Sequence, residues 1–251
     1  MHVTNSKSKR TVKKYLQKEP VVNSYQLARL EEKDTEIFAS IKDDKVSAIL
    51  IKKDETITIR GDGVQMEKLL KENLDEGRIY RFHAVDPISF EISKAVVEVE
   101  DDRPTWLLKR TYREPIFPES EIQPLEDKDA RIINDYWGLS DTDSTDYIKQ
   151  RIRKGPAYGI RKNGDLIGWS LTHFITDQTI MFGMLHIKKD WRRMGFAKEI
   201  TEKLCLDAKD MNLIPAVQIF KDNSPSLSLA RDLGFEIRGE HHWYSGKKKE
   251  I

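Results

Sequence analysis

The segment that most constrains the fold is Leu185 to Ala197, LHIKKDWRRMGFA, in which an apolar strand leads through Arg-x-x-Gly-x-Ala into a helix. The residues 179–187 before the loop form an uninterrupted apolar run of strand length. Behind the loop, apolar residues recur at helical spacing as far as Met211. The first turn of a helix leaves backbone N–H groups without intrahelical partners and carries partial positive charge. This strand, loop and helix therefore predict a site for a phosphate-bearing ligand.

The side chains of the loop suit a diphosphate. Gly195 lets the backbone approach a phosphate because no Cβ intervenes, and Ala197 keeps the next turn narrow. Backbone amides from Arg193 onward can then converge on phosphate oxygens, while Arg192 adds charge and forked donors. The pattern alone also occurs by chance, so the flanking strand and helix carry the inference. The predicted cradle loop consists of Arg192, Arg193, Met194, Gly195, Phe196 and Ala197.

A second motif follows one strand further on, where Asn223-Ser-Pro-Ser226 precedes a helix that ends in Leu-Gly-Phe at 233–235. With both motifs the chain resembles the GNAT superfamily of N-acyltransferases, and it is most similar to the glycine N-acyltransferase-like branch. The resemblance implies acetyl-CoA or another acyl-CoA as co-substrate, and no metal. It also implies that backbone amides of Leu185 and Ile187 bind the pantetheine and carbonyl, and that Asn223 and Ser226 contact the cofactor. Simple helix capping before Pro225 is the other interpretation of these two residues.

The proton-handling groups of the family are missing from this sequence. Where many members carry a tyrosine after the asparagine, this chain has Ala230, and where the glycine N-acyltransferase-like enzymes carry a glutamate, it has Met181. His173 lies across a predicted hairpin from Met181 and is the candidate catalytic base. The weaker candidates are His186, His241, His242 and Tyr244. There are two alternatives to a histidine base: an ordered water carries the proton, or the site binds CoA without turnover.

The chain of 251 residues has room for two domains, and 38% of its residues are hydrophobic. The fold class predicted is α/β (α+β), with tandem GNAT-like folds built on mixed, mostly antiparallel sheets flanked by helices. We expect a degenerate N-terminal domain over residues 1–110, a linker over 111–121 and the acyltransferase domain over 122–251. The first half repeats the element order weakly, but Asp62 between two glycines places a carboxylate where a phosphate would lie.

Charge and cysteine content limit the partners. A net charge of +1 argues against a nucleic-acid partner. No apolar run reaches the length of a membrane span, and the N-terminus lacks the apolar core of a signal peptide, so we expect a cytoplasmic protein. The single cysteine, Cys205, excludes an intramolecular disulfide and is expected to be a buried packing residue.

The leading hypothesis is an acyl-CoA-dependent N-acyltransferase, in which an amine attacks the thioester directly. The alternatives are a non-catalytic acyl-CoA-binding or regulatory module, and an interaction protein whose cradle is fortuitous. The sequence leaves the amine acceptor open between a small molecule and a protein N-terminus or lysine. It also leaves open the acyl length, and whether the protein is a monomer or a homodimer.

Overall fold

The computed structural model describes residues 6–111, 121–137 and 143–250, so most of the predicted linker 111–121 lies outside the described residues. The helices, in chain order, are α1 (Ser6–Leu16), α2 (Ser24–Leu30), α3 (Gly63–Asn73), α4 (Pro87–Ser93), α5 (Asp129–Tyr136), α6 (Thr145–Lys154), α7 (Phe196–Asp210) and α8 (Ser224–Asp232). The strands are β1 (Glu36–Lys42), β2 (Lys45–Lys53), β3 (Thr56–Gly61), β4 (Ile79–Val85), β5 (Val97–Asp102), β6 (Thr105–Arg110), β7 (Ile122–Pro124), β8 (Ala157–Lys162), β9 (Asp165–Ile175), β10 (Thr179–Ile187), β11 (Ile214–Phe220) and β12 (Phe235–Lys248).

The chain divides into two compact units. The first consists of Met1–Leu107, Ile219–Asp222 and Arg238–Ile251, and the second of Leu108–Gln218 and Asn223–Ile237. The predicted division placed the whole C-terminal end in the second half. In the structure residues 238–250 belong instead to the first unit.

The C-terminal part of β12 completes the sheet of the first unit. Residues 242–248 pair antiparallel with β4 and β5. Burial of an aromatic side chain explains this pairing, because the Tyr244 ring stacks on Phe82 with the centroids 4.5 Å apart. The Tyr244 hydroxyl donates to Ser93 Oγ at 2.7 Å, so its polar end is also satisfied. Residues 242–248 therefore belong to the sheet of the first unit.

The first unit has a sheet covered by helices on both faces. β1, β2 and β3 are successive antiparallel neighbours, and α3 leads from β3 to the parallel strand β4. Since successive strand residues point to opposite faces, β2 contributes to two apolar clusters. Leu50 packs in the cluster that includes Leu70 of α3, whereas Ile49 and Ile51 pack with Leu16 of α1.

The second unit is built on an antiparallel run of β7, β8, β9 and β10, with β11 parallel to β10. Asn163 and Gly164 have φ of 52° and 89° and form a two-residue turn between β8 and β9, which is typical of an Asn-Gly pair. Trp169 of β9 packs with Ile133 of α5 and Ile148 of α6 in the core. Both units are mixed α/β folds with mostly antiparallel sheets, so the predicted fold class is confirmed.

Candidate functional site

Strand β10 separates from β11 before it reaches the cradle loop. Pairing of the two strands runs from Thr179↔Ile214 to Phe182↔Val217, whereas β10 itself continues to Ile187. The backbone of the last five β10 residues therefore faces an opening on the β11 side. Leu185 and Ile187, the two predicted pantetheine contacts, lie on this part of the strand.

A bulge deforms the same part of β10 on its β9 side. The register shifts between Gly183 and His186, and Met184 adopts a φ of 53°. A bulge bends its strand and re-aims the neighbouring groups, which is why bulges are frequent beside active sites. The deviation of β10 from β11 thus has a local cause in the backbone of residues 183–186.

The cradle loop has the backbone conformation that a phosphate site needs. Arg193 and Gly195 both have positive φ, of 67° and 90°, so the amides along the loop turn toward one side. Helix α7 starts at Phe196, and no side chain among the described residues caps its first turn. The nearest group to a Cβ built on Gly195 would be Glu199 Oε1, at 3.8 Å, so the space in front of the glycine is open. These features fit a diphosphate.

Arg192 anchors the cradle loop to the end of β10. Its Nε donates to the carbonyl oxygen of Ile187 at 2.9 Å. A short 3-10 helix, Lys189–Trp191, lies between the two residues. Met194 projects outward with 57% of its surface exposed. Arg192 therefore contributes its charge from a fixed position, as the predicted site requires.

Asn223 and Ser226 begin the helix that follows β11. Asn223 Oδ1 accepts a hydrogen bond from the backbone N–H of Ser226 at 3.2 Å, which caps α8. Capping is therefore one role of this pair. Because β10 and β11 are parallel, the cradle loop and Asn223 both follow the carboxyl ends of neighbouring strands. Ligands of open α/β sheets bind at this edge.

His173 occupies a more enclosed position than the hairpin argument predicts. Its ring is packed over Gly183, since a Cβ built on that glycine would lie 2.1 Å from His173 Nε2. Nδ1 lies 3.2 Å from the hydroxyl of Tyr147, and Arg151 Nη1 donates to the His173 carbonyl at 2.5 Å. Burial, followed by the charge of Arg151, lowers the pKa of His173 to about 4. The imidazole is therefore neutral at physiological pH.

Tyr147 is a residue that the sequence analysis missed. It lies on α6 one turn before Arg151, at the i and i+4 spacing that puts both side chains on one helix face. The neighbouring positions Ile148 and Ile152 pack into the core. Their spacing predicts an amphipathic helix, but only the fold shows that the Tyr147 side of this helix faces His173.

The remaining candidate bases make contacts that explain their positions in the fold. His186 stacks on Trp169, with centroids 4.9 Å apart, and burial together with Arg192 and Lys188 lowers its pKa. The other three candidates, His241, His242 and Tyr244, contact residues of the first unit. Burial lowers the pKa of His241 to about 4, while His242 bonds Asp102 and Tyr244 bonds Ser93.

The positions of the two missing family groups are apolar and buried. Met181 is 2% exposed and Ala230 is 5% exposed. Cys205 is also buried, as predicted, and burial raises the pKa of its thiol to about 11. Among residues 6–111, 121–137 and 143–250, no group of three or more His, Cys, Asp or Glu side chains is placed to hold a metal ion. In the same ranges, no helix is long and apolar enough to cross a membrane.

Comparison with known proteins agrees with the fold. Residues 121–235 match the model of the acetyltransferase (GNAT) family. No curated protein matches the sequence significantly. The family match supports an N-acetyltransferase enzyme, so the predicted enzyme class is confirmed at that level.

Three solved structures illustrate the likeness. A Drosophila protein has a TM-score of 0.68 at 16% identity, covering 94% of this chain and 87% of that one. A GCN5-related N-acetyltransferase-like protein from Streptococcus suis has a TM-score of 0.61 at 16% identity, covering 96% and 99%. A tandem GNAT protein from the clavulanic acid biosynthesis pathway has a TM-score of 0.57 at 12% identity, covering 96% of each chain. At these identities the likeness shows the fold alone.

Proposed function

We propose that this protein is an acyl-CoA-dependent N-acyltransferase whose co-substrate is acetyl-CoA or a related acyl-CoA. The observation that carries the proposal is the opening between β10 and β11, which ends at a cradle loop followed by an uncapped helix. The diphosphate would be bound by the amides of residues 193–197 and by Arg192. Backbone groups of Leu185 and Ile187 would bind the pantetheine, and Asn223 and Ser226 would add contacts beyond the strand.

An acyl-CoA supplies a thioester carbonyl that a neutral amine attacks. The chain would contribute backbone donors on the opened part of β10 and a group that takes the proton of the amine. We propose that His173 is the final acceptor of a proton in this transfer. Its low pKa leaves the imidazole unprotonated throughout the physiological range but makes it a weak base. General bases contribute about 10²- to 10⁴-fold when their pKa is matched to the pH, so we expect about 10- to 100-fold here.

The first unit differs from the second at the corresponding opening. β3 and β4 pair only through Thr56↔Arg81 and Ile57↔Phe82 before they separate. The Gln26 side chain fills that opening, because its Nε2 donates both to a β3 hydroxyl at 2.9 Å and to a β4 carbonyl at 3.0 Å. At the end of β3, the amides of residues 61 and 62 already bond to Ser89 and Ser47.

These contacts, together with the Asp62 carboxylate at the start of α3, favour a degenerate first unit in a tandem arrangement. We therefore expect one acyl-CoA site per chain. The placement nearest the glycine N-acyltransferase-like branch rests on the sequence resemblance. The acceptor class, whether a small molecule or a protein amine, and the cytoplasmic location stay predictions.

A non-catalytic acyl-CoA-binding module is the second candidate. It is favoured by the apolar residues Met181 and Ala230 at the usual proton-handling positions and by the weak basicity of His173. Thiol release from acetyl-CoA distinguishes the two functions. We expect release with at least one of glycine, spermidine and an unblocked tripeptide. Cofactor binding without release above the hydrolysis background in all three would favour the binding module.

A further inference from the structure

Tyr147 and His173 form a pair on the face of β9 and β10 that α6 covers. The Tyr147 hydroxyl lies 3.2 Å from Nδ1 of His173, and the other side of the imidazole is packed against Gly183. Gly183 is the first β10 residue beyond the last pair with β11. The pair therefore lies at the point where the parallel strands separate.

The two members of the pair differ in their access to a substrate. One nitrogen of His173 is engaged by Tyr147 and the other is covered by Gly183, whereas 38% of the Tyr147 surface is exposed. A substrate amine would thus meet the phenol oxygen before it meets the imidazole. Given the proposed function, we propose that Tyr147 is a catalytic residue that takes the proton of the acceptor amine while its own proton passes to His173.

The neighbours of Tyr147 hold its ring in place. The indole of Trp137 stacks on it with an interplanar angle of 15° and centroids 5.6 Å apart. The guanidinium carbon of Arg151 lies 5.1 Å from the ring centroid. A ring fixed by such contacts loses little conformational freedom when substrate binds. The positive charge of Arg151 also stabilises negative charge that develops on the hydroxyl oxygen.

The proton transfer is balanced in atoms and charge. The amine nitrogen uses its lone pair to form the bond to the acyl carbon, and its N–H bond breaks as a proton moves to the Tyr147 oxygen. The Tyr147 O–H bond breaks at the same time, and that proton moves to Nδ1 of His173. When the C–S bond breaks, its electron pair leaves on sulfur. The Tyr147 hydroxyl then gives its proton to the thiolate sulfur as the proton on His173 moves back to the Tyr147 oxygen, so the enzyme is regenerated and the products are an amide and a thiol.

The test compares Tyr147→Phe with Tyr136→Phe, a matched change at a tyrosine that is 49% exposed on α5. We expect Tyr147→Phe to lower kcat about 10- to 100-fold with an unchanged Kd for acetyl-CoA, which is the effect of losing a proton-transfer group. Tyr136→Phe should stay within about twofold of the unaltered protein. In a His173→Gln background, Tyr147→Phe should cost much less, because residues that act as a unit are not additive.

Three outcomes are distinct. If the unaltered protein releases thiol and Tyr147→Phe keeps that rate within twofold, the role of Tyr147 is overturned and the proposed function stands. Equal losses in Tyr147→Phe and Tyr136→Phe also overturn it, because the loss is then not specific to the pair. Binding of acetyl-CoA without thiol release by the unaltered protein overturns the proposed function, and the role of Tyr147 with it.

Discussion

Gly183→Ala is the smallest change that tests the position of His173. A Cβ on residue 183 would lie 2.1 Å from Nε2 and 2.2 Å from Cδ2 of the His173 ring. Ordinary contacts of this kind begin near 3.4 Å. The ring must therefore move by more than 1 Å. On the other side of the ring, Nδ1 is hydrogen-bonded to the Tyr147 hydroxyl at 3.2 Å, and a displacement of that size breaks this hydrogen bond.

The expected cost follows from the contacts that are lost. Overpacking one methyl group into a closed site costs about 1–3 kcal/mol. For a protein of this size that corresponds to a Tm lower by roughly 2–12 °C. If His173 is the final acceptor in this proton transfer, kcat should fall about 10- to 100-fold as well. The cradle loop is unchanged, so the Kd for acetyl-CoA should stay within about threefold.

The assay combines a thermal melt, a calorimetric titration with acetyl-CoA and thiol release. The double variant Gly183→Ala with His173→Ala is the control, because removal of the ring makes room for the methyl group. We expect the double variant to be more stable than Gly183→Ala alone and as slow as His173→Ala. A Gly183→Ala protein with unchanged Tm and unchanged kcat would refute the position of the ring.

Two further predictions concern charge. Glu199→Gln should tighten acetyl-CoA binding about two- to fivefold in a calorimetric titration, because the carboxylate occupies the positive end of α7 beside Gly195. Weaker binding by the variant would contradict this effect of the carboxylate. Thermal stability should fall as the pH drops from 6.5 toward 4. In the folded state the pKa values of His83, His173 and His241 are about 3, 4 and 4, whereas the unfolded value is 6.5. The unfolded state therefore binds more protons in this range, which favours unfolding. The buried His241 alone should lower the free energy of unfolding by about 1 kcal/mol per pH unit in the middle of that window, and His241→Gln should flatten the profile. A Tm independent of pH between 6.5 and 4.5 would contradict the burial of these histidines.

The parts of the fold that depend on local sequence were predictable. The run 179–187 is a strand with the predicted bounds, and α7 starts directly after Gly195. Apolar periodicity and glycine placement specify both. Local sequence likewise specifies the turn at Asn163-Gly164, because both residues tolerate positive φ.

The parts that depend on long-range pairing were not predictable. The alternation in β12 indicates a strand, but nothing in it distinguishes β4 as a partner from a strand of the second half. The contact between Tyr147 and His173 is similarly hidden in the sequence, where the two residues are 26 positions apart. A bulge in β9 sets that contact, since Phe174 pairs with Met181 and Thr172 with Phe182. One extra residue changes which side chains meet, and periodicity does not report it.

The most direct test of the proposed function is a calorimetric titration of the unaltered protein and of Gly195→Glu with acetyl-CoA. Residue 195 has a φ of 90°, so glutamate there is strained and also places a carboxylate at the phosphate site. We expect the unaltered protein to bind one acetyl-CoA per chain with a Kd on the order of micromolar. Gly195→Glu should remain folded and lose at least about 100-fold in affinity, more than 2.7 kcal/mol. No binding by the unaltered protein, or equal binding by the variant, would contradict the assignment of the cradle loop.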